Sequence, residues 1–251
     1  VPSSKVFVAY NGFEEAYFRD VDAEESRDPY QLVYFSHPSK GLDAALRVLR
    51  ILRERNERFH LEVFGGAALW GQHEEREFDE PGVLFHGLVG QRELARHLIH
   101  ATYSICLQER EEPFGMVLTE SQRAGCVVLA SPVGAFPELI RHGVDGFLVE
   151  GPGCSEEAAR AAAGIILDLE ADPSRRDSLR RKARSVPWSS DLMAKVWLQH
   201  WEASRSEMNS RPAFNRLCPR CGSVPDEYPD GNHCAACGYY IGAGLSGGSG
   251  A

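Results

Sequence analysis

Glu112 and Glu120 have seven residues between them, and that stretch reads as a loop turning into a helix. Pro113-Phe114-Gly115 forms the turn, Met116 to Ala124 the helix, and Gly125 a left-handed stop. The first turn of a helix leaves backbone N–H groups unpaired and carries partial positive charge, so it is a ready site for an anion such as phosphate. Glu112 falls just ahead of that turn, and Glu120 lies roughly 6–9 Å along the axis. A ligand with its phosphate at the helix end and one carboxylate for each flanking sugar ring fits this spacing; a nucleotide-sugar has that shape. Lys40 stands just before a helix that begins Gly41-Leu42. A cation there opposes the helix dipole, which points to an anion nearby; an exposed surface lysine is the plain alternative. His37, three residues earlier, is either a phosphate donor or a solvent-facing loop histidine.

A second chemistry sits near the carboxyl terminus. Cys218-Pro-Arg-Cys221 and Cys234-Ala-Ala-Cys237 are two C-x2-C knuckles separated by twelve residues. That pattern predicts four thiolates around one tetrahedral zinc, with a rubredoxin-type iron site as the neighbouring option. Four thiolates leave no open coordination position, so the metal is expected to be structural, capping the chain or gripping a protein partner. Cys106 and Cys126 lie in apolar runs and read as buried thiols, and Cys154 stands alone. Free thiols with a metal-type cluster suit a reducing, cytoplasmic setting.

The elements that must hold these residues alternate. Strands are expected at Lys5–Tyr10, Gln31–Phe35, Phe59–Phe64, Val83–His86, Ser104–Leu107, Cys126–Ala130 and Phe147–Glu150. Helices are expected at Gly41–Arg55, Arg92–His100, Met116–Ala124 and near Pro137–Arg141. Leu42, Leu46, Leu49 and Leu52 share one face of the first helix, with arginines opposite. This alternation predicts an α/β fold, a Rossmann-like parallel sheet with helices on both faces. Ligands of such sheets bind at the carboxyl ends of the strands, where the Lys40, Glu112 and Gly134 loops all fall. Beyond Gly153 three helices follow, at Ser155–Leu169, Asp172–Ser185 and Ser190–Ser204. The expected organisation is a domain over residues 1–204, a linker over 205–216, a cysteine module over 217–241 and a flexible tail over 242–251.

Hydrophobic content of 43% and charged content of 25% are those of a globular chain. A net charge of −9 argues against nucleic acid as a partner. No signal-peptide pattern is read in these residues, and with no apolar run of sufficient length no membrane-crossing helix is expected. A basic cluster, Arg175, Arg176, Arg180, Arg181, Lys182 and Arg184, reads as a charged helix face, with attachment to the inner membrane periphery or substrate docking as the alternative.

The Glu112–Glu120 segment resembles the Glu-x7-Glu motif of the retaining GT-B glycosyltransferases called GT4. Gly125-Cys-Val-Val-Leu-Ala-Ser-Pro-Val-Gly134-Ala-Phe-Pro-Glu138 resembles the strand and loop that follow it, and Gly143-Val-Asp-Gly146 the next loop. Tyr10-Asn11-Gly12 resembles the start of that family's donor domain, Ser36-His-Pro-Ser-Lys40-Gly41 a shortened first phosphate loop, and Pro187-Trp188-Ser189 the start of its last helix. The likeness spans about residues 5–203. It departs at the first loop, where the family's arginine ahead of Lys40 is missing and Ser36-His37 stands instead. The resemblance implies that Glu112 and Lys40 are the catalytic pair, Glu112 on the donor sugar hydroxyls and Lys40 on the diphosphate. Glu120 would hold the ribose. Phe114, Gly115, Met116, His37 and Gly134 would complete the donor site. It implies a nucleotide-sugar donor, an acceptor of unknown class, no catalytic metal, and an amino-terminal acceptor domain missing from this chain. The alternatives are a non-catalytic nucleotide-sugar-binding module whose zinc ribbon recruits a protein, and a GT-B-like epimerase.

Overall fold

The computed structural model describes residues 6–19, 27–66 and 80–210, the last four by backbone alone. The chain forms two compact units, Val1–Lys195 and Val196–Ala251. The first holds one six-stranded sheet. Strands β1 (Gln31–Ser36), β2 (His60–Gly65), β3 (Val83–Gly87), β4 (Tyr103–Cys106), β5 (Val127–Ala130) and β6 (Phe147–Leu148) run parallel in the order β3-β2-β1-β4-β5-β6. Central β1 is buried on both faces, which is why Gln31-Leu-Val-Tyr-Phe reads as one run rather than an alternation.

The β1–β2, β3–β4, β4–β5 and β5–β6 crossovers each carry a helix. Helix α1 (Leu42–Arg53) buries Leu42, Leu46, Leu49 and Leu52 as its spacing predicts, each contributing about 1.5–3 kcal/mol by leaving water. It shares one layer with α5 (Glu156–Ala171), whose Ala158, Ala159, Ala162 and Ala163 are fully buried. Ser155 caps α5 by accepting from Ala158 N–H at 3.1 Å. On the other face lie α2 (Gln91–His100) and α3 (Met116–Ala124), the latter ended by Gly125 at φ 82°. A short α4 (Phe136–Leu139) and α6 (Pro173–Arg184) complete the unit, and α7 (Ser190–Ser210) leads out of it.

The arginines of α6 have local work. Arg176 pairs with Glu170 at 2.8 Å, and Arg180 donates to Gly125 O at 3.1 Å and Asp177 at 3.0 Å. Arg180 and Arg27, the latter on Ala124 O at 2.6 Å, satisfy carbonyls at the end of α3. Cys106 and Cys126 are buried as expected, and burial pushes their thiols up to about 12 and about 11.

Two expectations change. Val6–Tyr10 forms no strand: Val6 and Val8 are exposed, and Tyr10 packs on Trp188 and Phe114 at ring distances of 5.0 and 5.9 Å instead of joining a ladder. Helix α7 continues through Ser210, so the expected linker is helical over 205–210. Arg205-Ser-Glu-Met-Asn-Ser contains no glycine or proline and simply extends the helix; Pro212 is the first breaker. The remainder of the linker, the cysteine module at 217–241 and the tail lie outside the described residues. Among the described residues no helix is long and apolar enough to cross a membrane.

Candidate functional site

In the strand order 3-2-1-4-5-6 the chain winds outward from β1 in one direction and from β4 in the other. A crevice therefore opens between the carboxyl ends of β1 and β4. The loops that leave those two ends carry Lys40 and Glu112.

After β1, His37 caps a single 3-10 turn, Pro38–Lys40: its Nδ1 accepts from Ser39 N–H at 3.2 Å and lies 2.7 Å from Ser39 Oγ. Gly41 follows at φ 102°, and a Cβ there would stand 1.8 Å from the Leu107 carbonyl oxygen. No other residue allows the loop to lie so close to the end of β4. This contact holds Lys40 over the switch point.

After β4, the chain is braced from the β5 side. Gln108 N–H donates to Ser131 Oγ at 2.9 Å, and Ala135 N–H to Glu112 O at 3.0 Å. Gly134, at φ 52°, packs on the Glu112 backbone so closely that a Cβ would meet Glu112 O at 2.4 Å and N at 2.6 Å. Gly134 thus sets where Glu112 sits. Gly115, at φ 102°, turns the loop into α3 with Phe136 against it, and no side chain caps the helix. The N-terminal amides of a nine-residue helix are left for whatever occupies the crevice.

Lys40 Nζ and Glu112 Oε1 meet at 2.5 Å, with 24% and 16% of their side chains exposed. They border a cavity of about 360 Å³, whose wall also includes Asn11, Ser36, Gln108 and Phe114 through Leu118. That volume lies in the range of small-ligand pockets. Asn11 reaches it because Gly12 is pressed on Ser190, where a Cβ would meet Ser190 N at 2.4 Å. Phe13 N–H donates to Trp188 O at 2.8 Å, and Ser190 N–H to Phe13 O at 2.9 Å. The Asn11-Gly12 and Trp188-Ser189 segments, distant in sequence, are one local structure.

Glu120 lies one helical turn beyond Met116. Burial alone pushes its carboxyl up to about 7, and no cation or hydrogen-bond donor among the described residues offsets that cost. The structure therefore brings Lys40, Glu112, Phe114, Gly115 and Met116 into one cavity wall. Glu120, His37 and Gly134 stand outside that wall: Glu120 further along α3, His37 in its own turn, Gly134 behind Glu112. Sequence reading missed Gln108 and saw Ser131 only as the start of a loop at this edge. Each is a buried polar residue within two positions of a strand's end, and that position was the available signal.

Comparison with known proteins agrees with this architecture. D-inositol 3-phosphate glycosyltransferase of Streptomyces griseus is 32% identical over 143 residues, covering 52% of this chain and 30% of that protein. The Thermomonospora curvata protein of the same description is 28% identical over 205 residues, covering 74% of this chain and 46% of that one. The chain thus spans less than half the length of these relatives. In fold, it is similar to Anabaena HepE, solved in complex with UDP-glucose, at a TM-score of 0.61 and 21% identity, over 78% of this chain and 57% of that one. It is also similar to the C-terminal domain of a group 1 glycosyl transferase (LpcC) from Francisella tularensis, at 0.51 and 18%, over 76% of this chain and 96% of that domain. The fold is the carboxyl-terminal, Rossmann-like half of GT-B. Residues 24–186 match the family described as glycosyl transferases group 1, and since that is well over half of the sequence, this chain belongs to that family.

Proposed function

We propose that this chain is the donor-binding half of a retaining glycosyltransferase of the GT4 type, and that the crevice at the β1/β4 switch point takes a nucleoside diphosphate-sugar. One observation carries the reading: an uncapped helix N-terminus, a lysine and a glutamate share one cavity wall at the place where this topology binds ligands. The diphosphate would lie against the amides of Gly115–Val117 and Lys40, which replaces its contact with Glu112 by one with phosphate oxygen. Glu112, released, would accept from the sugar hydroxyls. Glu120 would accept from the ribose, whose hydroxyls supply the donors its half-buried carboxylate lacks.

In the transfer step the bond between the anomeric carbon and the diphosphate oxygen breaks, the electron pair leaving on the phosphate. An acceptor hydroxyl then bonds the same carbon on the same face and passes its proton to the departing phosphate oxygen. Charge grows on the departing diphosphate, which the α3 amides and Lys40 stabilise in place, without a catalytic metal. An acceptor-binding domain on a longer chain would complete the enzyme. The cysteine module would carry a structural zinc and serve a protein contact.

Calorimetric titration with UDP-, GDP-, ADP- and dTDP-sugars and with the bare diphosphates tests the reading. One nucleotide series is expected to bind. Glu112→Gln is expected to weaken the nucleotide-sugar more than its diphosphate. A folded chain that binds none of them refutes the proposal, and equal losses for sugar-nucleotide and diphosphate refute the role of Glu112.

A further inference from the structure

Away from the crevice, three side chains from three elements converge on one point. Glu62 comes from β2, His86 from β3 and His97 from α2. Their ligand-type atoms all lie within 4.8 Å of one another. Glu62 Oε2 is 2.8 Å from His97 Nδ1 and 3.6 Å from His86 Nε2. We propose that Glu62, His86 and His97 form a binding site for a divalent first-row transition metal, with zinc the representative ion.

The local structure supports this beyond proximity. Glu62 is a charged residue in the middle of an interior strand and only 9% exposed. A carboxylate there needs a cationic partner. His97 supplies one hydrogen bond, and hydrogen bonding goes no further: His86 Nε2 is buried and has no hydrogen-bond partner. A buried imidazole nitrogen aimed at a carboxylate without bonding it suits a shared ion better than a closed network.

The backbone also delivers His86 to the cluster. Pairing of β2 with β3 passes from Val63–Phe85 to Phe64–Gly87, so His86 is the extra residue of a bulge, a device that re-aims a side chain. Its ring stacks on Phe64 at 4.5 Å and 6°, and Phe64 also flanks the His97 ring at 4.8 Å, which fixes both imidazoles. Two imidazoles and one carboxylate are the ligand set of an open three-ligand zinc site, and tetrahedral bonds of about 2.0–2.1 Å place ligand atoms about 3.3 Å apart. The separations of 2.8 and 3.6 Å bracket that value. An ion there would tie the edge strand β3 and helix α2 to the interior strand β2.

The test must separate this site from the cysteine knuckles. The full chain carrying Cys218→Ser, Cys221→Ser, Cys234→Ser and Cys237→Ser is titrated with Co²⁺ and with Zn²⁺. One equivalent of either ion is expected to bind, with the visible absorption of nitrogen and oxygen ligation and no thiolate charge-transfer band. Adding His86→Ala or His97→Gln is expected to weaken binding at least 100-fold. X-ray absorption of the loaded quadruple variant is expected to show imidazole scattering, and it needs no histidine variant to fold. A quadruple variant that binds neither ion at micromolar concentration overturns the proposal. So does a bound ion without an imidazole shell, or unchanged affinity after histidine replacement.

Discussion

Replacing Glu120 with glutamine separates stability from binding, and the structure sets both magnitudes. Burial raises the carboxyl from an ordinary 4.5 to about 7 with nothing opposing it. Between those two values the folded chain binds more protons than the unfolded chain at this group, so its contribution to stability falls as pH rises. The loss from pH 5 to pH 8 is about 2.5 kcal/mol, and above pH 8 it is complete. Glutamine has the shape of the protonated acid and does not titrate. Urea unfolding should therefore find Glu120→Gln about equal to wild type near pH 4 and about 3 kcal/mol more stable at pH 8. Binding should move the other way. Ribose hydroxyls donate to the charged form, so wild-type affinity for the nucleoside diphosphate should fall about tenfold from pH 8 to pH 6, while the variant should bind more weakly and without that pH dependence. A stability difference that stays constant from pH 5 to pH 8 would mean that Glu120 titrates as an ordinary surface carboxylate. Undiminished nucleotide affinity in the folded variant would remove it from the ribose.

Lys40→Ala should weaken diphosphate binding about tenfold, roughly 1.4 kcal/mol, and flatten its salt dependence; it should also destabilise the unliganded chain by leaving Glu112 unpaired, and adding Glu112→Gln should recover that loss in urea unfolding. Gly134→Val should cost about 2 kcal/mol or more by strain at positive φ, and because its side chain strikes the Glu112 backbone it should impair sugar-nucleotide binding in calorimetry even where the chain folds. Cobalt substitution of the wild-type chain should give a thiolate charge-transfer band that Cys218→Ser abolishes and that acidification removes.

The sequence made the sheet legible because each crossover helix carried its own periodic face. Leu42, Leu46, Leu49 and Leu52 declared α1, and Gly125 declared the end of α3. Lys5–Tyr10 failed for the complementary reason: its apolar residues alternate as a strand's would, but a ladder also needs a neighbouring edge, and pairing is not a local property. The Lys40–Glu112 contact was equally illegible, since the two residues were expected to serve different parts of one ligand and the fold brings their charges together. Nothing in the local pattern announced Glu62, His86 and His97 as a group. Their one signal was a glutamate inside the apolar run Leu61-Glu-Val-Phe64, a charge at a position that strand burial should exclude.

These misfits share a physical logic. Several departures from local rules stand near the same crevice: left-handed Gly41, Gly115 and Gly134, a helix start with no cap, and, further along α3, the half-buried carboxylate of Glu120 with no partner among the described residues. Each costs stability, and a chain that needed only to fold could relieve most of them with a capping serine or a neutral side chain. Close backbone packing accounts for Gly41 and Gly134, but it explains neither the uncapped helix start nor Glu120. Gly125 is also left-handed, but it ends a helix and its carbonyl is capped by Arg180, so it closes a structure; the crevice glycines hold one open. A ligand with an anionic centre and hydroxyls beside it would offset these costs together, the anion on the α3 amides and the hydroxyls on Glu120. The same reasoning isolates His86, whose bulge and unpaired nitrogen lie outside the crevice and which that ligand does not satisfy, so a second, cationic ligand is the consistent account of it.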